Sequence, residues 1–192
     1  EDHLPGTIRY YGCPAEESLS GKSFMARAGV FDDLDCCLSW HPSGEDGVGY
    51  SNNTAQTTME FHFHGIEAHA AANPHLGRSA LDAVELMNVG CNYLREHIIP
   101  TARVHYMITD GGKAVNIVPG EASSLYAIRA PQVDQMQDIT ERLIDIAKGA
   151  ALMTGTTMDY VMIGIYHNRL PNAALADLAF ENYQQAASAP WT

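Results

Sequence analysis

Basic residues are scarce in this sequence, which has 11 Lys and Arg against 23 Asp and Glu and a formal net charge of −12 over 192 residues. A protein that neutralises phosphates needs a basic face, so this balance argues against a nucleic-acid partner. No apolar run approaches the roughly 18–20 residues that span a bilayer, which argues against a membrane protein. No basic segment followed by an apolar core marks a signal peptide, so the expected location is cytoplasmic.

Cysteines are few and irregularly spaced, at Cys13, Cys36, Cys37 and Cys91. This spacing matches neither a disulfide framework nor a CxxC metal-binding motif. Reduced thiols in a cytoplasmic protein are the simplest interpretation. A thiol hydrolase that uses Cys13 with His41 is a weaker alternative. A nucleophilic cysteine usually lies at a helix N-terminus or beside a fixed His, whereas Cys13 precedes Pro14 in a turn.

The first 55 residues have the pattern of a βαβ unit from an α/β domain. Residues 7–11 are rich in β-branched and aromatic side chains and predict a strand. A short helix is predicted over residues 22–28, and residues 34–40 predict a second strand, which ends before Pro42. A connection of this kind joins parallel strands, whose carboxyl ends meet at the edge where open α/β sheets bind ligands.

Three side chains of metal-binding type follow these two strands. Glu16 and Glu17 come after the first strand and His41 comes directly after the second. One carboxylate can bind a divalent cation while the other takes a proton from metal-bound water, and imidazole is the commonest nitrogen ligand of metals. Taken singly, exposed acids and loop histidines are more often solvated residues. The hypothesis of a metal site therefore depends on the sheet edge that these three residues are predicted to share.

Residues 56–168 predict a second domain with the order β-α-β-β-α-β of ferredoxin-like folds. Its strands are predicted at residues 58–64, 103–109, 122–129 and 157–166, and its helices end near residues 97 and 155. In the first strand, Met59, Phe61 and Phe63 alternate with polar residues, as expected of a half-buried strand. Ser79 and Asp82 predict a capping pair at the first helix.

Other candidate binding residues lie in this second domain. Four histidines within fourteen positions are compatible with metal binding: His62, His64, His69 and His75. Strand alternation explains the first two as surface residues, whereas His69 lies among small residues that allow close approach, so it is the better candidate for a substrate contact. Asn116 offers a donor and an acceptor, and Arg129 offers a fork for a carboxylate, although both types are usually structural or solvated.

Short motifs run in a fixed order through nearly the whole chain. They are Gly12-Cys13-Pro14-Ala15-Glu16-Glu17, Met25-Ala26-Arg27-Ala28-Gly29-Val30-Phe31-Asp32, Trp40-His41-Pro42, Phe63-His64-Gly65, Ala68-His69-Ala70-Ala71, Gly77-Arg78-Ser79-Ala80-Leu81 and Asn116-Ile117-Val118-Pro119. Together they resemble the dimeric metallo-amidohydrolases and carboxypeptidases of the aminoacylase type, above all the branch that hydrolyses p-aminobenzoyl-glutamate and indole-acetyl-amino acids. That family inserts a ferredoxin-like domain into its catalytic domain.

The resemblance implies a role for each residue of the metal centre. Glu16 would be the general base, and Glu17 and His41 would bind a dinuclear Zn or Mn site. The family's upstream His and Asp ligands and its late His ligand have no counterpart here, so the chain is expected to be a fragment that is inactive alone. Ser18-Leu19 also replaces the glycines that usually follow the acidic pair.

The resemblance also implies how substrate is bound. His69 would reach across a homodimer formed by the inserted domain and stabilise the oxyanion of the tetrahedral intermediate. Asn116 and Arg129 would hold the substrate carboxylate. The implied reaction is metal-dependent hydrolysis of the amide bond of N-acyl or N-aroyl amino acids, such as p-aminobenzoyl-glutamate, with a second type of subunit as a further possible partner.

These expectations assign residues 1–55 to a catalytic α/β domain, residues 56–168 to the dimerisation domain and residues 169–192 to a return towards the catalytic domain. The fold class is thus α/β, with a ferredoxin-like domain inserted in an incomplete metallohydrolase domain. The alternative function is a non-catalytic module that dimerises or binds a small ligand. That alternative leaves the acidic pair and His41 unexplained.

Overall fold

The computed structural model describes residues 5–16, 21–44 and 47–186. The chain forms two compact units, Glu1–Trp40 and His41–Thr192, which are described separately. Among the described helices, none has both the length and the apolar character that a membrane crossing requires.

The first unit contains one short helix, α1 (Gly21–Arg27), and its described residues form no strand. The strands expected over residues 7–11 and 34–40 are therefore wrong. Most of their β-branched and aromatic side chains lie in solvent, with Ile8 99% and Trp40 84% exposed. A strand needs a neighbour for its backbone hydrogen bonds, and β propensity alone does not supply one. The parallel sheet edge that would gather the predicted metal ligands is consequently not formed.

Side-chain contacts hold this unit together instead. The guanidinium of Arg9 donates two hydrogen bonds of 2.8 and 2.7 Å to the carboxylate of Asp33. Tyr11 packs edge-on against Phe31, with ring centroids 5.1 Å apart, and its hydroxyl donates to the carbonyl of Val30 at 3.3 Å. Residues on both sides of α1 are thus joined by a bidentate ion pair and one aromatic contact.

The second unit is a four-stranded antiparallel sheet with two long helices on one face. Its main elements are β1 (Ala55–His64), α2 (Ala80–Leu94), β3 (Arg103–Asp110), β5 (Glu121–Ala130), α3 (Val133–Thr154) and β6 (Thr157–Tyr166), joined by two short strands, β2 (Ala68–His69) and β4 (Ile117–Val118), and followed by α4 (Ala173–Gln185). The strand order in the sheet is β3-β5-β1-β6. This arrangement confirms the predicted β-α-β-β-α-β order.

The core lies between the sheet and the helices α2 and α3. Met59, Phe61 and Phe63 of β1 are fully buried, as their alternation predicted. Both helices pack against each other and against the two central strands β1 and β5. The opposite face of the sheet carries the polar residues of the same strands, because successive side chains of a strand point to opposite sides. The sheet therefore has one buried face and one open face.

The helix ends follow the capping signals of the sequence. The Ser79 hydroxyl accepts a hydrogen bond from the Asp82 amide at 3.1 Å and donates to the Asp82 carboxylate at 2.8 Å. Gly155 ends α3 with φ +66°, in the left-handed region that favours glycine. Two short 3₁₀ helices, Pro74–Leu76 and Arg95–His97, were not expected as separate elements.

Candidate functional site

Two of the six candidate residues meet on a short two-stranded ribbon formed by β2 and β4. In this ribbon Ala68 pairs with Val118, and His69 pairs with Ile117. The amide of Ala70 donates to the carbonyl of Asn116 at 2.9 Å. His69 therefore lies in β2, and Asn116 lies directly before β4, opposite Ala70; both residues are exposed.

Close backbone contacts tie this ribbon to the sheet. The amide of Gly65 donates to the carbonyl of Gly120 at 2.7 Å, and Ile66 and Arg78 exchange two backbone hydrogen bonds of 2.8 and 2.9 Å. A Cβ atom on Gly65 would lie 2.0 Å from the carbonyl oxygen of Arg78. Only glycine permits this approach of two backbones, which explains a glycine directly after the last residue of β1.

The imidazole of His69 is held in one tautomer by the backbone that follows it. Its Nδ1 accepts hydrogen bonds from the amides of Ala71 and Ala72, at 3.3 and 3.1 Å. A neutral imidazole that accepts at Nδ1 carries its proton on Nε2. His69 can thus present an Nε2–H donor from an exposed ring. The ring is exposed next to small alanine residues, and its predicted contact with substrate stays a prediction.

Arg129 lies at the opposite end of β5 from the ribbon. It pairs in register with Gln56 of β1 and Arg103 of β3, and it is exposed on the open face of the sheet. Glu121, at the ribbon end of β5, is eight residues away. At about 3.3 Å per residue this separation is roughly 26 Å along the strand. Asn116 and Arg129 of one chain therefore do not converge on one carboxylate.

The predicted metal-centre residues are distributed over both units. Glu16 is exposed in a turn that follows Ala15, a residue with φ +56°. Glu17 lies outside the described residues. His41 is exposed, and its Nδ1 donates to the carbonyl of Pro42 at 2.8 Å, which leaves Nε2 as the nitrogen able to bind a metal. Within the described residues, no group of three or more His, Cys, Asp or Glu could hold a metal ion. The predicted convergence of these three residues stays a prediction.

One cluster of charged side chains lies on the open face of the sheet. Of its members, the sequence predicts only that His64 is an exposed strand residue. His64 Nδ1 lies 2.6 Å from Oε2 of Glu121, and Nε2 lies 2.7 Å from Oδ2 of Asp159. The hydrogen bond to Asp159 is the main cause that raises the pKa of the His64 imidazole, burial opposes it, and the bond to Glu121 adds to it. The partners lie 57 and 95 residues away, so only the strand order reveals them.

Comparison with known proteins assigns this fold to a class. Residues 53–153 match the family model of the peptidase dimerisation domain, and the chain belongs to that family.

Among curated proteins, the chain is 48% identical over 187 residues to one of the subunits of p-aminobenzoyl-glutamate hydrolase from Escherichia coli K12, covering 97% of this chain and 39% of that protein. It is 36% identical over 179 residues to the Xaa-Arg dipeptidase of Mus musculus, covering 93% of this chain and 41% of that protein. The chain thus spans about two fifths of the length of these relatives.

Among solved structures, the aminobenzoyl-glutamate utilization protein from Klebsiella pneumoniae superposes with a TM-score of 0.70 at 29% identity. The match covers 85% of this chain and 43% of that one. The fold and the family resemblance expected from the sequence are therefore both confirmed.

Proposed function

We propose that this chain is part of an enzyme that hydrolyses the amide bond of N-acyl or N-aroyl amino acids, with p-aminobenzoyl-glutamate as a representative substrate. In that enzyme the second unit serves as the dimerisation domain. The observation that carries the proposal is the ribbon, on which two backbone amides fix the exposed ring of His69 so that it presents an Nε2–H donor. The relatives named above are a hydrolase and a dipeptidase, which supports the same reaction class.

His69 would stabilise the transition state of this hydrolysis. As water adds to an amide carbonyl, negative charge develops on the carbonyl oxygen, and a fixed donor aimed at that oxygen lowers the barrier. The Ala71 and Ala72 amides orient the ring and keep the proton on Nε2. His69 is thus a preorganised donor. Asn116 directly precedes the neighbouring strand β4, and its side-chain amide is a proposed contact for a polar group of the substrate.

A site that uses Asn116 together with Arg129 must draw them from two protomers. In one chain Arg129 lies near the end of β5, whereas Asn116 lies by the ribbon, before the start of β5. In a symmetric dimer each site would take Arg129 from one protomer and His69 with Asn116 from its partner. Each of the two sites would then be incomplete in a single chain.

The edge strand β3 with the outer face of α2 is the proposed dimer surface. β3 is outermost in the sheet, and Met107 and Ile108 on it are exposed. Next to it, α2 exposes Leu86, Val89 and Tyr93, which share one helix face at spacings of three and four residues. Two copies could pair their β3 strands and pack their α2 helices together.

The other edge strand, β6, is less suited to this role. Its register with β1 shifts between Thr58 and Met59, in the middle of the pairing, whereas the irregularity of β3 lies near its end, between Ile108 and Asp110. A bulge in mid-strand increases the local twist and disfavours pairing of that edge with a second chain. A homodimer through β3 is our proposal, and a related second subunit could use the same edge.

The reaction is proposed to depend on a divalent metal, Zn or Mn with two ions in a complete site, as metal dependence is general among peptidases of this family. Such ions lower the pKa of bound water and polarise the substrate carbonyl. Glu17 and His41 are the proposed ligands and Glu16 the proposed base. The described residues do not assemble a metal site, so ligands in addition to these are required.

Replacing His69 tests the proposed reaction. In the complete enzyme that contains this chain, His69→Ala should lower kcat for hydrolysis of p-aminobenzoyl-glutamate by about 10²–10³-fold, because the oxyanion donor is lost. The matched control is His75→Ala, an exposed histidine in the 3₁₀ helix Pro74–Leu76, which should retain activity. Full activity of His69→Ala in a properly folded dimer would contradict the catalytic role and favour the non-catalytic dimerisation module.

A further inference from the structure

His64 joins three strands at one end of the sheet. It is the last residue of β1, Glu121 is the first residue of β5, and Asp159 lies near the start of β6. Each ring nitrogen of His64 faces a carboxylate oxygen, at 2.6 Å for Glu121 and 2.7 Å for Asp159. β1 lies between β5 and β6, so this imidazole bridges both neighbours of its own strand.

Only the protonated ring satisfies both contacts. A neutral imidazole has one N–H donor and one lone pair, and an ionised carboxylate accepts but does not donate. In the neutral form, one carboxylate would face a lone pair at hydrogen-bond distance, which is repulsive. In the imidazolium form both nitrogens donate in charge-assisted hydrogen bonds, which are stronger than neutral ones. The arrangement therefore requires a proton on His64 when both acids are ionised.

The bridge lies at the base of the ribbon that carries His69 and Asn116. The residue after His64 is Gly65, whose amide donates to the carbonyl of Gly120, the residue before Glu121. The points where the chain leaves β1 and enters β5 are thus held by this backbone hydrogen bond and by the side chain of His64. These are two of the points at which the ribbon is connected to the sheet.

We propose that His64 is a proton-dependent clamp, which in its charged form ties β1 to β5 and β6 and keeps the ribbon fixed on the sheet. When His64 loses its proton, at least one carboxylate is released and the base of the ribbon loosens. The clamp concerns the fold alone, so it stands or fails independently of the proposed hydrolase reaction.

Other charged groups lie on the open face of the sheet. Glu60 and His62 share the face of His64 on β1, with His62 Nε2 3.8 Å from Oε2 of Glu60. Glu60 also accepts a hydrogen bond from Thr109 of β3 at 2.7 Å. Asp110, at the end of β3, accepts from the amide of Gly112. The two carboxylates that act on His64 are Glu121 and Asp159, while α2 and α3 pack on the opposite face of the sheet.

The sign of the pH dependence follows from this geometry. The pKa of His64 is raised above its ordinary value of 6.5 in the folded chain, mainly by Asp159. Its stabilisation is therefore fully present below that ordinary value and is lost as the pH rises through the folded pKa.

Titration of His64 by NMR tests the clamp directly. In the full 192-residue chain, the ring signals of His64 should titrate above 6.5, and Asp159→Asn should lower that pKa because the main partner loses its charge. Hydrogen exchange at the amides of Gly65, Ile66 and Ala70, corrected for intrinsic pH dependence, should accelerate several-fold as the pH passes through the measured pKa.

Two variants complete the experiment. His64→Gln should remove this pH-dependent change in exchange, whereas His62→Gln, the matched control on the same face, should leave it intact. A His64 pKa at or below 6.5, or a His64→Gln variant with the pH dependence of the unmodified protein, would overturn the proposal. Since the wild-type titration needs no substitution, a variant that fails to fold does not prevent the test.

Discussion

At the scale of single residues, glycines decide whether the ribbon can form. Gly65 allows two backbones to approach, since a Cβ atom there would lie 2.0 Å from the carbonyl oxygen of Arg78. That oxygen accepts the hydrogen bond of Ile66, so it cannot move away without breaking the bridge. Gly65 also begins the short segment of chain that leads to His69. Stability and placement of the candidate donor are therefore coupled at one residue.

Gly65→Ala should destabilise the chain by about 2–3 kcal/mol, the cost typical of forcing atoms into filled space. Gly149 provides the control, because a Cβ atom there would have open space within α3. Gly149→Ala should be neutral or stabilising by about 0.5–1 kcal/mol, since alanine favours the helix. Urea unfolding followed by circular dichroism measures both. Equal stability of the two variants would show that the close approach at Gly65 is not required.

At the scale of elements, the sequence predicts the long, periodic segments well. β1, α2 and α3 have apolar faces at regular spacing, and caps such as Ser79 and Gly155 mark helix ends, so local chemistry identifies them. β2 and β4 have two residues each and are too short to show any periodicity in the sequence. The strands expected over residues 7–11 and 34–40 fail for the opposite reason, because suitable side chains are present but the described unit pairs no strand there.

Ser79→Ala should destabilise α2 by about 1 kcal/mol, because the hydroxyl accepts from the amide of Asp82 at the helix N-terminus. Ser79→Thr retains the hydroxyl and should recover most of the loss. Thermal or urea unfolding of both variants measures the difference. If alanine and threonine behave alike, the cap does not contribute to stability as its geometry indicates.

At the scale of the whole molecule, strand order decides which distant residues meet, and no local signal predicts it. His64 meets its two carboxylates because β1 lies between β5 and β6. The length of β5 separates Arg129, near its end, from Asn116, which lies by the ribbon before its start. Of the candidate site, the sequence singles out His69 through its small neighbours, and its substrate contact stays a prediction. The sequence does not indicate that Asn116 lies opposite Ala70, the residue after His69, which only the fold reveals.

A charge on the proposed dimer surface should separate the protomers. Val89 is 47% exposed on the outer face of α2, and Val89→Lys should raise the dimer dissociation constant by about 100-fold, or about 2.7 kcal/mol, because burying an unpaired ammonium is costly. Leu152→Lys, on the exposed end of α3 beside the other edge, is the control. Analytical ultracentrifugation measures both. If Leu152→Lys separates the dimer and Val89→Lys does not, the interface lies on the β6 side instead.

The pairing of β6 with β1 has a consequence for where the domain can be cut. The family match ends at residue 153, yet β6 (Thr157–Tyr166) borders β1 along most of its length. A truncation after residue 153 would remove β6 and leave one edge of the central strand β1 unpaired. The backbone groups of that edge, which lie next to buried aromatic rings, would then be open to other chains. Such bare edges promote aggregation. An excised domain that remains dispersed must therefore extend at least to Tyr166.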